Sequence, residues 1–416
     1  MKKVKLGDVI DFFIAGDWGK EKSSAKTPNK VSCVRGADID NINSNQSDAI
    51  PIRYVKNSSF ENKTLEVGDI IIEKSGGSPI QSTGRVAIIS EKIKNELNHI
   101  ICSNFCSAFR VKPKYDALFV YYYFQHIYKS NIFFQFESQT TGIKNLLLDF
   151  ALAEIPFKNF DPPTQTAIAR VLSSLDDKVE LNNKINKELE NMAKTIYDYW
   201  FVQNADKKWE RKKIVELIKN QKNGDWGKET KQGNYTEKVI CIRGTDINSL
   251  TGNSELKAPE RYILEKNSDK FLADGDFIIE ISGGSPTQST GRMAYILNDI
   301  LKGFENPLIC SNFCKVISLK DQNLFYYFIF AWKQLYENGL FFGYEGKTSG
   351  IKNFLFDDFV NFYKIVIPPT PILQKFNKIV SPLFSAIIKN QQENSCLAQQ
   401  RDFLLPLLMG GEVGVG

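Results

Sequence analysis

The chain has 416 residues, 24% charged and 42% hydrophobic, with a formal net charge of +5. That balance excludes a disordered or low-complexity chain and supplies apolar material for two cores. No apolar run approaches the roughly 18 residues of a membrane span, and Asp8 and Asp11 interrupt the apolar start, so neither a bilayer span nor a signal peptide is expected.

In chain order, "GDWGKE" (Gly16–Glu21) comes first, then "VRGADI" (Val34–Ile39), "SGGSPIQSTGR" (Ser75–Arg85), "ICSNFC" (Ile101–Cys106) and "TTGIKNLLLDF" (Thr140–Phe150). All five return. The second set is Gly224–Glu229, Ile242–Ile247, Ser282–Arg292, Ile309–Cys314 and Thr348–Asp358, at an offset of 208 residues, or 207 at the Ser-Gly-Gly loop. This is a duplicated domain of about 160 residues, not a short-period solenoid.

Within each copy the elements read as mixed. "VGDIIIEKSGG" and "DGDFIIEISGG" predict a turn, a short apolar strand and a Gly loop. "ALFVYYYFQHIY" and "NLFYYFIFAWKQLY" have the length of a helix, with aromatics expected in the core. Alternation in "ICSNFC" predicts a strand with Cys102, Asn104 and Cys106 on one face. Six of the seven cysteines pair by repeat (Cys33/Cys241, Cys102/Cys310, Cys106/Cys314), leaving Cys396. An odd count without an export signal points to reduced structural thiols in a cytoplasm. The two histidines, His99 and His126, do not recur, so no metal site is expected.

Two segments of another kind follow the copies, Pro162–Phe201 and Pro368–Leu408, each opening on Pro-Pro-Thr. Proline suits a first helical turn, where its missing N–H is not needed. Apolar residues recur at three- and four-residue steps: Ile168, Leu172, Leu175, Val179, Ile185, Leu189, Met192 and Ile196, then Leu373, Phe376, Val380, Leu383, Ile387, Leu397 and Leu404. Helices of about 38 residues, roughly 57 Å, need a partner stripe, and each is the other's candidate. A kink or break is expected near Pro382. The stripes weaken at Asn182-Asn183 and Lys389-Asn390-Gln391. In an antiparallel pair these middles meet as a register-fixing polar layer, or they face solvent.

Catalytic signatures are missing. There is no Walker loop, no H-E-x-x-H motif and no His-based triad that recurs in both copies. "FDPPT" (Phe160–Thr164) resembles the acidic-Pro-Pro-aromatic motif of DNA amino-methyltransferases, but Thr164 stands where an aromatic would stack on a flipped base. The second copy, "VIPPT", lacks the Asp, and helix initiation accounts for both.

What remains in duplicate is loop chemistry suited to polar recognition. It comprises Trp18, Lys20, Arg35, Ser78, Gln81, Ser82, Thr83, Arg85, Thr140, Lys144 and Asn145. Their mirrors are Trp226, Lys228, Arg243, Ser285, Gln288, Ser289, Thr290, Arg292, Thr348, Lys352 and Asn353. Arg reads guanine edges, Gln and Asn read adenine, and Ser, Thr and Lys fix phosphates; the alternative is that Gly and Arg there hold the fold.

"LDDKVELNNKINKELENMAKTIYDYWF" (Leu175–Phe201), after its Pro-Pro start, and "FLLPLLMGGEV" (Phe403–Val413) resemble the conserved regions of the specificity subunit of type I restriction–modification systems. Gly410 departs from the serine commoner there. The resemblance covers the whole chain as target recognition domain (1–161), central helix (162–203), second recognition domain (204–367) and C-terminal helix (368–416). It implies an α+β fold: two similar mixed α/β globular domains separated by two long antiparallel coiled-coil helices, pseudo-two-fold symmetric. It further implies that each domain reads half of a bipartite double-stranded DNA site. The helices would set the spacer and dock two modification subunits, which carry S-adenosylmethionine; a restriction subunit can join them. The chain itself would bind no cofactor and catalyse nothing. The alternative is an orphan or decoy specificity protein without an active restriction complex. The duplication, with near-identical loops, predicts nearly palindromic half-sites, differing through Ile80/Thr287, Gln135/Gly343 and Gln139/Lys347.

Overall fold

The computed structural model describes residues 4–76, 81–140, 143–252, 256–283, 288–348 and 351–414, without the side chains of residues 139, 140, 347 and 348. The chain forms two compact units, residues 1–180 with 397–416, and residues 181–396.

The first unit is built on an antiparallel sheet in the order Ile10–Ala15, Cys106–Val111, Ile70–Glu73, Val86–Ile88. Ile70, Ile71 and Ile72 are fully buried, the signature of a central strand covered on both faces. The helix Ala117–Lys129, capped by the Asp116 carboxylate accepting from the Phe119 amide, lays Phe124 against Phe109 at 4.9 Å between ring centroids. Burying a ring of this size is worth about 1.5–3 kcal/mol. A second sheet joins Asn29–Val34 antiparallel to Ile52–Val55 and parallel to Ile100–Cys102. A third joins Ser75–Gly76, Ile143–Leu146 and Glu137–Thr140, so two of the duplicated loops are strands of one small sheet.

The second unit repeats each layer. Its central sheet runs Ile218–Asn223, Cys314–Leu319, Asp276–Glu280, Met293–Tyr295, under the helix Phe325–Glu337. Its mixed sheet is Glu260–Leu264, Tyr235–Ile242, Leu308–Cys310, and its loop sheet is Ser282–Gly283, Ile351–Phe354, Glu345–Thr348. A ribbon of Glu210–Lys213 and Lys364–Ile367 completes it, and among the described residues of the first unit the bridge Lys5 to Pro156 stands at the matching place.

"ICSNFC" is not a continuous strand. The chain turns at Ser103–Phe105, closed by the Cys106 amide donating to the Ser103 carbonyl at 2.9 Å, and Asn104 is exposed while Cys102 and Cys106 are buried. Strand alternation failed here because the turn returns Cys106 to the interior in a different sheet.

The central helix spans Pro162–Tyr197 and continues as a π-helical turn, Asp198–Gln203. Asp161 caps it, accepting from the Thr164 amide at 3.0 Å and hydroxyl at 2.9 Å, which gives the acidic residue of "FDPPT" a structural task. The C-terminal helix, Thr370–Gly410, runs through Pro382 without the break that was one of the two expected outcomes there. Pro382 and Lys378, whose carbonyl loses its partner, are both exposed, so water can satisfy that carbonyl.

Each unit pairs a segment of the two helices antiparallel. In the first, Arg401 donates to Asp176 at 2.7 Å, and Ile168, Ala169 and Leu172 share a core with Leu405, Leu408 and Met409. In the second, Asn182 donates to Asn394 at 2.9 Å and to Glu393 at 2.8 Å, while Asn390 donates to Asn186 at 2.8 Å. Asn182 and Asn186 are buried, whereas Ile185 and Met192, expected in the stripe, are exposed. The buried and half-buried positions follow a seven-residue repeat, Leu172, Val179, Asn186, Ala193, with Leu175, Asn182, Leu189 between, so the asparagines occupy the seam itself. Their pairing is self-complementary: Asn390 and Asn394 are Asn182 and Asn186 advanced by the 208-residue offset, and Asn182–Asn394 mirrors Asn186–Asn390. That reciprocity is the mark of a two-fold contact.

Six cysteines are buried and Cys396 is exposed. Burial pushes Cys33, Cys106, Cys241 and Cys314 up to about 12. No helix among the described residues is long and apolar enough to cross a membrane.

A thiol reagent at neutral pH should therefore modify one cysteine in the native chain and seven after unfolding; two or more rapidly reacting native thiols would contradict the buried assignment. Asn186→Ala strands the Asn390 donor and should lower stability by about 1–3 kcal/mol in denaturant unfolding. Replacing both residues with Leu should recover that loss. A single Ala variant as stable as the wild type would place these amides in solvent.

Candidate nucleic-acid interface

The Ser-Gly-Gly loop leaves the central sheet after Glu73 and rejoins it at Arg85. Its neck is closed twice by backbone, Glu73 N to Arg85 O at 2.9 Å and Gly84 N to Glu73 O at 3.0 Å. Side chains then lock it. Arg85 donates from Nε and Nη2 to the two Glu73 oxygens at 2.9 and 2.8 Å, and from Nη2 to the Gly36 carbonyl at 2.8 Å. These side chains are only 14% and 7% exposed. The hydrogen bond to Glu73 raises the Arg85 pKa above its ordinary value, against the opposing effect of burial. The second copy repeats the fork, Arg292 to Glu280 at 2.8 and 2.6 Å.

Two glycines belong to this lock. A Cβ on Gly36 would lie 2.4 Å from Glu73 Oε1, and one on Gly244 would lie 2.8 Å from Glu280 Oε1. Gly84 and Gly291 adopt φ of 98° and 95°, conformations that side chains resist, with Phe133 and Phe341 against them.

The neighbouring hairpin is tied to the loop by a second buried acid. Glu137 accepts from the Thr83 amide at 2.6 Å and hydroxyl at 3.0 Å, with Lys144 Nζ 3.5 Å away. Glu345 does the same for Thr290 and Lys352. Ser75 donates to Asn145 and Ser282 to Asn353. Thr83, Arg85, Lys144, Thr290, Arg292, Lys352 and the buried Ser289 thus lie within the loop framework, and Ser82 is half-buried. Ser78, Ser285, Ile80 and Thr287 fall outside the described residues, as do the side chains of Thr140, Thr348, Gln139 and Lys347.

Of the remaining candidates, Trp18, Arg35, Trp226, Arg243 and Gln288 line a cleft beside the loop. In the first unit it encloses about 630 Å³ and is lined by Trp18, Arg35, Gly36, Ala37, Glu73, Ser75, Gly76, Asn104 and Phe105, with Ser103 and Ile143. In the second it encloses about 720 Å³ and uses the same positions: Trp226, Arg243, Gly244, Thr245, Glu280, Ser282, Gly283, Asn312 and Phe313, with Gln288, Arg292 and neighbours. Among shared lining positions the one change is Ala37 to Thr245. Arg35 is held flat by Asp38 at 2.8 and 2.7 Å and keeps 42% of its side chain exposed; Arg243 sits likewise on Asp246 with 37% exposed.

The Arg53 guanidinium lies 3.8 Å over the Trp18 ring, and that of Arg261 lies 4.4 Å over Trp226. Arg53 Nε and Arg261 Nε are buried without a hydrogen-bond partner, and the π-face beneath accounts for both. Lys20, Gln81, Lys228 and Gln288 are exposed. Sequence reasoning missed Phe105 and Phe313, 55% and 52% exposed, with Asn104 and Asn312 beside them. Their signal was present: an Asn-Phe pair between two buried cysteines in both copies.

The model for the type I restriction modification DNA specificity domain matches the chain twice, at residues 1–191 and 206–396. The fold agrees with that class: a crystal structure of the S subunit of a type I restriction–modification system from M. genitalium superposes with a TM-score of 0.53 at 17% identity, covering 98% of this chain and 95% of that one. This chain belongs to the type I restriction–modification DNA specificity family. Among curated relatives, the type I restriction enzyme MjaIX specificity subunit of Methanocaldococcus jannaschii is 28% identical over 284 residues, 63% of this chain and 61% of the relative. The HindI specificity subunit of Haemophilus influenzae is 45% identical over 42 residues, 10% of this chain and 9% of its own length. The chain thus aligns with less than two thirds of these relatives.

Glu73→Ala leaves the Arg85 charge without its partner and should cost about 3 kcal/mol or more in denaturant unfolding. Lys20→Ala and Gln81→Ala, on the exposed rim, should stay within about 0.5 kcal/mol of wild type. Equal effects would mean that the fork does not hold the loop.

Proposed function

We propose that this chain is the DNA-reading subunit of a type I restriction–modification enzyme, and that each lobe reads one half of a bipartite, nearly palindromic site. One observation carries the reading: the two clefts are lined alike, by half-buried Trp18 with exposed Asn104 and Phe105 in one copy and by Trp226, Asn312 and Phe313 in the other, and Lys20, Gln81, Lys228 and Gln288 are exposed in the same duplicated loops. Exposed Lys suits phosphate, and Gln and Asn amides suit base edges. In this reading Arg85 and Arg292 hold the loops instead of reading bases, because their donors are engaged on Glu73 and Glu280. Arg35 and Arg243 keep an exposed edge for DNA.

The self-complementary asparagine pairs support a two-fold contact between the two helices, and a DNA-binding protein with two-fold symmetry reads the same sequence on opposite strands. The half-sites are then inverted and identical, or differ at one or two positions, with Ala37/Thr245 and Gln135/Gly343 as the exposed differences. The helices set the spacer. Leu181, Ile185 and Met192, exposed outside the seam, form the face on which modification subunits dock, and those partners bring the methyl donor.

Methylome sequencing of the source strain with and without this gene tests the reading. The motif that disappears should consist of two halves related as reverse complements, apart from one or two positions. Unrelated halves would contradict it. Calorimetry on the isolated chain should detect no S-adenosylmethionine binding; micromolar affinity would contradict the assignment of the methyl donor to the partner subunits.

A further inference from the structure

Each cleft carries features that edge-reading of a duplex does not need. Phe105 and Phe313 are more than half exposed, yet their backbones are fixed. The Phe105 carbonyl accepts from the Lys74 and Ser75 amides at 2.8 and 3.1 Å, and that of Phe313 from Ile281 and Ser282 at 2.9 and 3.2 Å. A rigid turn therefore holds an aromatic ring in solvent at the mouth of a cleft whose lining includes a tryptophan. Both copies do so, in clefts of about 630 and 720 Å³, within the roughly 300–1,000 Å³ typical of small-ligand sites.

A base within the duplex offers its edge to a groove; its faces are covered by its neighbours. An exposed phenyl ring stacks only on a base whose face is free, and every base has such a face. The Asn104 and Asn312 amides, adjacent to the rings and exposed, carry both donor and acceptor for the edge of a base so placed. Arg35 and Arg243, held flat by their aspartates, add a planar cation to the lining.

We propose that each cleft takes one nucleobase out of the duplex and stacks it on its aromatic wall, so that part of the specificity of each lobe is read from an unstacked base. The proposal rests on the DNA-reading role above. Ala37 and Thr245 then tune the two clefts, the threonine adding a hydroxyl and a methyl group where the other copy has neither.

Unpairing a base costs free energy, least for a base already mismatched. The full-length chain is titrated with duplexes carrying its methylome-defined motif. At each half-site position in turn, one strand is kept and the opposite base replaced to create a mismatch. At one position in each half-site, the mismatch should tighten binding by about tenfold. Phe105→Ala and Phe105→Leu should abolish that gain in one half-site only, and Phe313→Ala and Phe313→Leu in the other, with unchanged melting temperatures. The Leu variants keep apolar volume on the turn and remove the ring, so a loss shared by Ala and Leu is a loss of stacking. Sequence-specific binding with no tightening at any position would overturn the proposal. So would a gain that survives all four variants. A wild-type chain that binds no duplex sequence-specifically would overturn the DNA-reading role itself, and the proposal with it.

Discussion

The loops depend on one interaction, the two-pronged hydrogen-bonded ion pair between Arg85 and Glu73, repeated as Arg292 and Glu280. It closes an excursion of the chain that contributes three glycines and a proline and has little apolar surface of its own to bury. A planar guanidinium matched to a carboxylate fixes both distance and orientation, which an ammonium group would not. The same arginine donates to the Gly36 carbonyl, and a side chain at position 36 would press on the Glu73 carboxylate that holds it. The cost of taking two charges partly out of water is offset by geometry, three hydrogen bonds from one guanidinium in the first copy.

Once the neck is fixed, the other contacts follow in order. Glu137 can bond Thr83 only if the loop returns to the hairpin, and Lys144 then finds its counter-ion beside it. The Phe105 carbonyl is held by amides at the start of the same loop. The duplicated residues thus divide into an inner set that satisfies one another and an outer set that faces solvent. An inner set preserves shape, whereas an outer set that stays identical over two copies while exposed to solvent is the better guide to recognition.

Much of this was legible in the sequence, for reasons that differ by element. The duplication needed only comparison of "SGGSPIQSTGR" with "SGGSPTQSTGR". Helix starts at Pro-Pro-Thr follow from local chemistry, as does the polar layer at Asn182 and Asn390. Other features depended on partners distant in sequence. That Arg85 faces Glu73 across the neck cannot be known without the strand pairing, and a duplicated Arg in a Gly-rich loop looks the same whether it meets an acid or a base. Ile185 and Met192 looked like core by hydropathy, but the seven-residue repeat through Asn186 rotates them outward. Exposed Phe105 was hidden by an alternation rule that holds in strands and fails at a turn.

The central claim is that buried arginine–glutamate forks shape each loop while the exposed rim does the reading. The structure of the chain bound to its own DNA site tests this most directly. Arg85 and Arg292 should remain on Glu73 and Glu280 at hydrogen-bonding distance, with Lys20, Gln81, Asn104 and their mirrors on the nucleic acid. Guanidinium groups released from their glutamates and paired with guanine edges would contradict the account.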